Sequence, residues 1–188
     1  MVASVYIEKN VYGGDGLGRL GDGRVVFVPG AFAGERVKAK IIQEKKSFVK
    51  ASLVEIEEAS SERIGDGPVA VAGVGYSNLS VKGECAAKGA QLAEFFERAR
   101  IAVPEGVCFD KPAEECTEEN ALNYRNKVVY HFSLAPGSRV LGYRREPEHD
   151  IVDVFEDPLA CKEINAKLPE IRESVFRLLS TGPKAVRK

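Results

Sequence analysis

The glycine-rich segment from Tyr12 to Gly30, YGGDGLGRLGDGRVVFVPG, constrains the fold more than any other part of the chain. Residues 16–21 formally match G-x-G-x-x-G, the glycine pattern of dinucleotide-binding loops. Such a loop needs a helix directly after the glycines, because the helix N-terminus holds the pyrophosphate. Here the β-branched run RVVFV follows instead. The segment therefore predicts strongly coiled strands in which glycine allows close backbone approach, with a hairpin turn at Asp22-Gly23.

The first 58 residues predict a small closed β-barrel. Four segments have the alternation or β-branched content of strands, at residues 3–9, 24–30, 35–45 and 47–58. In the last of these, Val54 and Ile56 alternate with Glu55 and Glu57 and are expected to share one face. Short strands separated by glycine-bearing turns are typical of barrels. The polar stretch EEASSERIGDGP then predicts a domain boundary.

The remaining residues predict a second, smaller domain. A helix is expected over 82–102, with its apolar face at Cys85, Gly89, Leu92, Phe96 and Ala99. Strands are expected at 127–134, 138–146 and 150–156, and a final helix at 162–180 with Ile164, Leu168, Ile171, Val175 and Leu178 on one face. The predicted fold class is α+β, mainly β: an OB-like five-stranded barrel at 1–58, and a small α/β central domain at 65–188 with antiparallel strands and two helices.

Composition excludes several classes of function. The formal net charge is −1, so any nucleic-acid binding must come from local clusters of basic residues. No apolar run approaches the roughly 20 residues that span a bilayer, and no signal peptide is recognisable. We therefore expect a cytoplasmic protein without a membrane partner.

The residues that could ligate a metal are scattered. The four cysteines (85, 108, 116 and 161) form no C-x-x-C pair, and His131 and His149 have no cysteine or carboxylate at ligand spacing. Asp150, Asp153, Glu156 and Asp157 alternate with apolar residues, which predicts solvated acids on a strand rather than a paired-acid site. The sequence predicts no metal site and no catalytic residue.

The barrel sequence VYGGDGLGRLGDGRVVFVPGAFAGERVKAKIIQEKKSFVKASLVEI resembles a TRAM domain, an OB-like RNA-binding barrel. It is most similar to the TRAM domain that opens the RNA uracil-5 methyltransferases, which act on ribosomal and transfer RNA. Later segments resemble successive pieces of the same family's central domain: YSNLSVKGECAAKGAQLAEFF, NYRNKVVYHFS, LGYRREPEHDIVDVFEDPL and INAKLPEIRESV. The resemblance covers nearly the whole chain.

Two departures from the family pattern matter. Many members hold a four-iron cluster on a C-x5-C-G-G-C run and a later cysteine just before Pro-Leu or Pro-Ile. Here Val71-Ala72-Gly73-Val74 stands where C-G-G-C would be, and Asp157 stands where the later cysteine would be. We therefore predict no iron–sulfur cluster. The family's SAM-binding domain, with its nucleophilic cysteine, has no counterpart in these residues. We expect no methyl transfer by this chain alone, and SAM as a cofactor only of a full-length enzyme.

The predicted RNA contacts are basic and aromatic residues in two groups. Base stacking on exposed rings and phosphate contacts from cations are the usual means of binding by such barrels. In the barrel they are Tyr12, Arg19, Lys45, Lys46, Phe48 and Lys50. In the central domain they are Tyr124, Arg125, Asn126, Lys127, Arg144 and Arg145; the resemblance places Y-R-N-K at the family's RNA and active-site face.

Plainer interpretations of the same residues stay open. EKKS can be an ordinary charged turn, and Phe48 can be a core residue. Arg125 can form a salt bridge to the acidic residues 114–119.

The function expected from the resemblance is RNA recognition, of rRNA or tRNA, for a SAM-dependent RNA (uracil-5-)-methyltransferase. The catalytic SAM domain would be supplied in cis or in trans. The alternative is a stand-alone RNA-binding protein of ribosome-associated or RNA-chaperone type, without methyltransferase activity.

Overall fold

A barrel at the N-terminus and a small sheet near the C-terminus are the two centres of the computed structural model. The structure describes residues 1–65, 75–105, 117–133, 138–144 and 150–181. These residues fall into two compact units. The first contains residues 1–65, 75–105 and 117, and the second contains the described residues from 118 onward. The predicted domain bounds, 1–58 and 65–188, stay predictions.

Five strands close the barrel in the order β1-β2-β3-β5-β4. They are β1 (Val2–Asn10), β2 (Gly16–Arg19), β3 (Val25–Val28), β4 (Arg36–Glu44) and β5 (Phe48–Glu58). All neighbouring pairs are antiparallel except β3 with β5, which is parallel and closes the cylinder. The predicted five-stranded barrel and the mainly β, α+β fold class are thus confirmed.

Alternate residues of each strand fill the barrel interior. The fully buried set is entirely aliphatic: Val5, Ile7, Val26, Val28, Ala31, Val37, Ala39, Val49 and Ala51. Removing these side chains from water supplies the main driving force for closure, at about 25 cal/mol per Å² of apolar surface. The residues between them in the sequence remain on the outside of the barrel, where they are available to a partner.

The glycines of β2 are needed because other chain segments lie directly against them. A Cβ atom at Gly16 would lie 2.6 Å from the carbonyl oxygen of Ala31, and one at Gly18 would lie 2.3 Å from that of Tyr6. Gly23 has φ +86° in the turn, where its amide donates to the carbonyl of Leu20 at 2.9 Å. The glycines therefore serve close packing and a hairpin, as the sequence predicted.

The expectation that Val54 and Ile56 share one face of β5 is wrong, because Ile56 packs against the barrel core and Val54 does not. Leu53 pairs with Ala39 and Glu55 pairs with Lys38, so the ladder passes over Val54, which is 54% exposed. A β-bulge of this kind inserts one residue and shifts the alternation. Simple period-two counting cannot locate such a shift.

A buried ion pair ties the end of the barrel to the segment that follows it. The carboxylate of Glu35 is fully buried and accepts from Arg63 Nε at 2.6 Å and from Nη2 at 2.9 Å. It also accepts from the backbone amides of Phe32 and Ser60, while Nη2 of Arg63 donates to the Gly30 carbonyl at 2.7 Å. Every oxygen of this buried anion is therefore compensated by fixed donors.

Helix α1 (Val81–Ala99) belongs to the same unit as the barrel. Ser80 caps it by accepting from the Gly83 amide at 2.9 Å, and Arg100 ends it in the left-handed conformation. The predicted apolar face was wrong in part. Gly89 is buried, but Leu92 is 40% exposed, and Val81 and Gly83 are the other buried residues.

The second unit contains a three-stranded antiparallel sheet, β6-β7-β8, and helix α2. The elements are β6 (His131–Phe132), β7 (Leu141–Arg144), β8 (Ile151–Asp153) and α2 (Lys162–Thr181), and α2 runs through Pro169. The core is Leu141, Leu168 and Phe176. The predicted α2 face is therefore wrong at Ile171 and Leu178, which are exposed. In the described part of the chain, no helix combines the length and apolarity that a membrane span requires.

We predict that Arg63→Ala destabilises the first unit by about 3–5 kcal/mol, because it leaves the buried Glu35 carboxylate without its cation. Urea unfolding followed by circular dichroism measures the change. The matched control is Arg36→Ala, whose pair with Glu58 is exposed and 3.7 Å long; it should cost less than about 1 kcal/mol. Equal effects of the two substitutions would contradict a special role of the buried pair.

Candidate nucleic-acid interface

Strand pairing gathers basic and aromatic side chains on one outer surface of the barrel. Leu17 pairs with Phe27, which pairs with Lys50, and Arg19 pairs with Val25, which pairs with Phe48. These six residues alternate with buried neighbours on their strands, so they share the outside of β2, β3 and β5. We call this surface the barrel face.

Two phenylalanine rings form the centre of the barrel face. The centroids of Phe27 and Phe48 lie 5.8 Å apart, and the ring planes meet at 74° in an edge-to-face contact. Both residues are half-buried, so each ring packs on one side and keeps accessible surface. Phe48 is therefore neither a fully buried core residue nor a free side chain. Accessible aromatic surface beside cations is the arrangement on which nucleic-acid bases stack.

Sequence reasoning missed Phe27. The β-branched run Val25–Val28 predicts a strand, and the alternation of a strand places Val25 and Phe27 on the face opposite to Val26 and Val28. The sequence of this strand does not indicate which of its two faces is buried. In the structure Val26 and Val28 are fully buried, so Val25 and Phe27 lie on the outer face.

Lys45 and Lys46 lie in the exposed turn between β4 and β5, directly before Phe48. Among the described residues, no carboxylate forms an ion pair with Lys45, Lys46 or Lys50. The opposite surface of the barrel differs, since Lys38 there pairs with Glu55 at 2.8 Å. Lys45 and Lys46 therefore add positive charge beside the barrel face, and the charge of Lys50 also acts on the nearby carboxyl group of Asp15.

Arg19 and Tyr12 fit the predicted site less well. The guanidinium of Arg19 pairs with Glu8 at 3.4 Å, so part of its charge is already compensated. Tyr12 is 97% exposed in the turn between β1 and β2, outside the paired strands of the barrel face. Asp15 in the same turn has a raised pKa because burial disfavours its charge, and the positive charge of Lys50 opposes that rise. This turn therefore lies near the Lys50 side of the barrel face.

In the second unit, Tyr124 and Arg125 form the predicted cluster. The guanidinium carbon of Arg125 lies 5.8 Å from the ring centroid of Tyr124, which is 61% exposed. Asn126 and Lys127 are exposed beside them. No carboxylate pairs with Arg125 among the residues that the structure describes, and Glu114 and Glu115 lie outside them.

Arg144 belongs to a different surface from Arg125. It is exposed at the end of β7 and follows Tyr143 directly, so the two side chains project to opposite faces of the sheet. Tyr143 contributes to the electrostatic environment of Arg125, so Arg144 points away from that cluster. Arg145 lies outside the described residues.

The prediction that the acids after β7 are solvated was wrong for Asp157 and Asp153. Asp157 is 1% exposed. Its Oδ2 accepts from the hydroxyl of Tyr143 at 2.5 Å and from that of Tyr130 at 3.0 Å, and its Oδ1 accepts from the Leu159 amide at 3.0 Å. Asp153 accepts from Arg172 at 2.7 Å. Alternation with apolar residues could not reveal donors that come from distant parts of the chain.

Hydrogen bonding dominates the ionisation of Asp157 and its partners. Burial acts to raise the pKa of Asp157, but the Tyr143 hydroxyl, the Leu159 amide and the Tyr130 hydroxyl together hold it below its usual range. Conversely, burial and the neighbouring carboxylate raise the pKa of Tyr143 to about 12. The same two causes raise the pKa of Tyr130. The cluster is a carboxylate that stays ionised with two phenols that stay neutral.

Asp157 does not fit the role of a cluster ligand. Both of its oxygens already accept hydrogen bonds, and iron–sulfur clusters are held by thiolates. The other position of the family pattern, residues 71–74, lies outside the described part of the chain. Within the described part, no three His, Cys, Asp or Glu side chains are grouped so that they could hold a metal ion.

Comparison with known families identifies the barrel. Residues 2–54 match the model of the TRAM domain. An RNA methyltransferase of Listeria innocua, itself uncharacterized, is 31% identical over 155 residues, which cover 79% of this chain and 32% of that protein. The 23S rRNA (uracil(1939)-C(5))-methyltransferase of Shewanella piezotolerans is 27% identical over 172 residues, covering 87% of this chain and 36% of the relative.

A solved structure shares the fold over most of the chain. The tRNA (uracil-54, C5)-methyltransferase of Pyrococcus abyssi, solved in complex with S-adenosyl-L-homocysteine, matches with a TM-score of 0.61 and 18% identity. The match covers 92% of this chain and 37% of that enzyme. The chain thus spans about a third of the length of the relatives that it matches.

We predict that Tyr143→Phe removes a tyrosine that ionises near pH 12. Since this pKa lies above the unfolded value of about 10, the stabilisation is complete below pH 10 and is lost as the pH rises to about 12. Tyrosinate absorbance and thermal unfolding across this range measure both effects. Tyr12→Phe is the control, and it should leave the tyrosinate titration near pH 12 unchanged. An unchanged alkaline titration in Tyr143→Phe would contradict the assignment.

Proposed function

We propose that this chain is the RNA-recognition portion of a SAM-dependent RNA (uracil-5-)-methyltransferase, the kind of enzyme that its TRAM domain and its RNA methyltransferase relatives indicate. Its substrate class is rRNA or tRNA, and its place of action is the cytoplasm. The observation that carries the proposal is the barrel face, where adjacent phenylalanine rings lie beside Lys50 and the lysines of the β4–β5 turn in a TRAM domain. The named activities of the relatives support the reaction class.

The barrel face suits an RNA segment with accessible bases. A base stacked on the open side of Phe48 or Phe27 would gain roughly 1–3 kcal/mol. Its flanking phosphates would meet Lys50 on the same face and Lys45 and Lys46 in the adjoining turn. Because these contacts involve ring faces and phosphates, they hold an RNA loop without reading its sequence. Selection of one uridine then belongs to other parts of the enzyme.

Methyl transfer belongs, in this proposal, to a separate SAM-binding domain joined in cis or acting in trans. SAM supplies the methyl group there, and none of the residues assigned to RNA binding in this chain takes part in the chemistry. The chain tested alone should bind rRNA or tRNA transcripts and transfer no methyl group. Methylation of uridine by the isolated chain would contradict the assignment of methyl transfer to a separate domain.

We predict that Lys45→Ala with Lys46→Ala lowers the slope of log K against log salt by about 1–2 units, since each lost phosphate contact removes somewhat less than one. Fluorescence anisotropy with a labelled rRNA fragment at several salt concentrations measures the slope. The matched control is Lys38→Ala with Lys82→Ala, which removes the same charge from lysines already paired with Glu55 and Glu62. An equal loss of slope in the control would show that only net charge matters.

We predict that Phe48→Leu weakens RNA binding by about 1–3 kcal/mol at constant salt, because leucine keeps the apolar contact with the barrel but offers no ring for stacking. The salt slope should not change, since no charge is removed. Phe95→Leu is the control: Phe95 is 60% exposed on α1, and it is not one of the residues of the barrel face. Wild-type affinity in Phe48→Leu would remove the barrel face from the interface.

A further inference from the structure

The backbone of Arg125 is fixed to the loop that follows β8. Its amide donates to the Leu159 carbonyl at 2.8 Å, and its carbonyl accepts from the Cys161 amide at 2.8 Å. The Asn123 amide donates to the Pro158 carbonyl at 2.8 Å, so residues 123–125 run beside 158–161. The orientation of Arg125 therefore depends on the conformation of this loop.

Asp157 organises the same loop. Its Oδ1 accepts from the Leu159 amide at 3.0 Å, and its carbonyl accepts from the Ala160 amide at 3.1 Å. The side chain of Asn165, in helix α2, binds the backbone of Asp157 through two hydrogen bonds. Its Nδ2 donates to the Asp157 carbonyl at 2.8 Å, and its Oδ1 accepts from the Asp157 amide at 2.9 Å. One buried carboxylate thus fixes the carbonyl and amide groups that hold the Arg125 backbone.

Tyr143 shares the Asp157 carboxylate with Tyr130 and belongs to the electrostatic surroundings of the Arg125 side chain. Its hydroxyl hydrogen is committed to Asp157 at 2.5 Å, so its oxygen lone pairs are available only to accept from another donor. Arg125 is half-buried, and interactions with the Tyr124 and Tyr143 hydroxyls outweigh the effect of burial, so that its pKa is raised. Tyr130 donates to the same carboxylate oxygen, and its ring packs edge-to-face on Tyr143 at 5.4 Å.

We propose that Tyr143 and Asp157 are positioning residues that hold the Arg125 guanidinium ready to bind an RNA phosphodiester. This inference rests on the proposed function. A planar guanidinium that is already oriented can donate two parallel hydrogen bonds to a phosphate and loses little side-chain freedom on binding. The exposed ring of Tyr124 beside it extends the surface that the RNA would contact.

A double-mutant cycle separates positioning from mere stabilisation. The variants are Tyr143→Phe, Arg125→Ala and both together, with affinity for a labelled rRNA fragment as the readout. Removing the Tyr143 hydroxyl, which belongs to the electrostatic surroundings of Arg125, should weaken binding about 3–10-fold in Tyr143→Phe. The double variant should bind no more weakly than Arg125→Ala, because the tyrosine acts through the arginine. Tyr130→Phe is the matched control: it removes one hydrogen bond to Asp157 but leaves Tyr143, and it should bind within about twofold of wild type.

The outcomes distinguish this inference from the proposed function. If the wild-type chain binds no RNA, the proposed function is contradicted and the inference falls with it. If the wild type binds but Arg125→Ala binds equally well, or Tyr143→Phe has the same effect with and without Arg125, the inference is overturned while the barrel face stands.

A measurement on the wild-type chain keeps the inference testable even if Tyr143→Phe does not fold. Nitrogen-15 relaxation of the Arg125 Nε–H group in the absence of RNA reports whether its side chain is ordered. We expect an order parameter above about 0.6 for Arg125 and below that value for the exposed Arg144. Equal, low values for both arginines would overturn the inference.

Discussion

The parallel pairing of β3 with β5 is the constraint on which the proposed interface depends. It closes the barrel, and its register places Phe27 beside Lys50 and Val25 beside Phe48. If either strand shifted by one residue, its rings and charges would turn inward and its aliphatic residues outward. The buried valines of both strands prevent such a shift, because exposing them would cost the burial energy that holds the barrel closed. Core packing thus fixes the position of the outward-facing side chains.

Charge distribution, rather than net charge, distinguishes the surfaces of the first unit. The chain carries a formal charge of −1, and on the outer surface of β4 Arg36 pairs with Glu58 and Lys38 pairs with Glu55. Lys45, Lys46 and Lys50 have no ion-pair partner within the described ranges, so their field extends into solvent for about a Debye length, roughly 8–10 Å. A polyanion is therefore attracted to one side of the barrel. In the second unit, by contrast, Asp157 and Asp153 stabilise the fold. Asp157 accepts a hydrogen bond from Tyr143, and Asp153 accepts one from Arg172.

Features encoded by local sequence were predictable, and features made by distant residues were not. The glycines of β2 and the alternation of β4 predicted a barrel, because both reflect backbone requirements of neighbouring residues. The buried pair of Glu35 with Arg63 joins residues 28 positions apart, and Asp157 meets Tyr130 across 27. A charged residue in a polar stretch has the same appearance whether it is solvated or buried. Resemblance to a family supplied the candidate RNA contacts, but the structure alone added Phe27 and separated Arg144 from Arg125.

The central claim is that RNA lies on the barrel face, and ultraviolet cross-linking of the wild-type chain to an rRNA transcript, followed by mass spectrometry of the cross-linked peptides, tests it most directly. The account predicts cross-links on the peptides that contain Phe27 and Phe48. Cross-links confined to the outer surface of β1 and β4, at residues such as Tyr6 and the ion-paired Lys38, would contradict it.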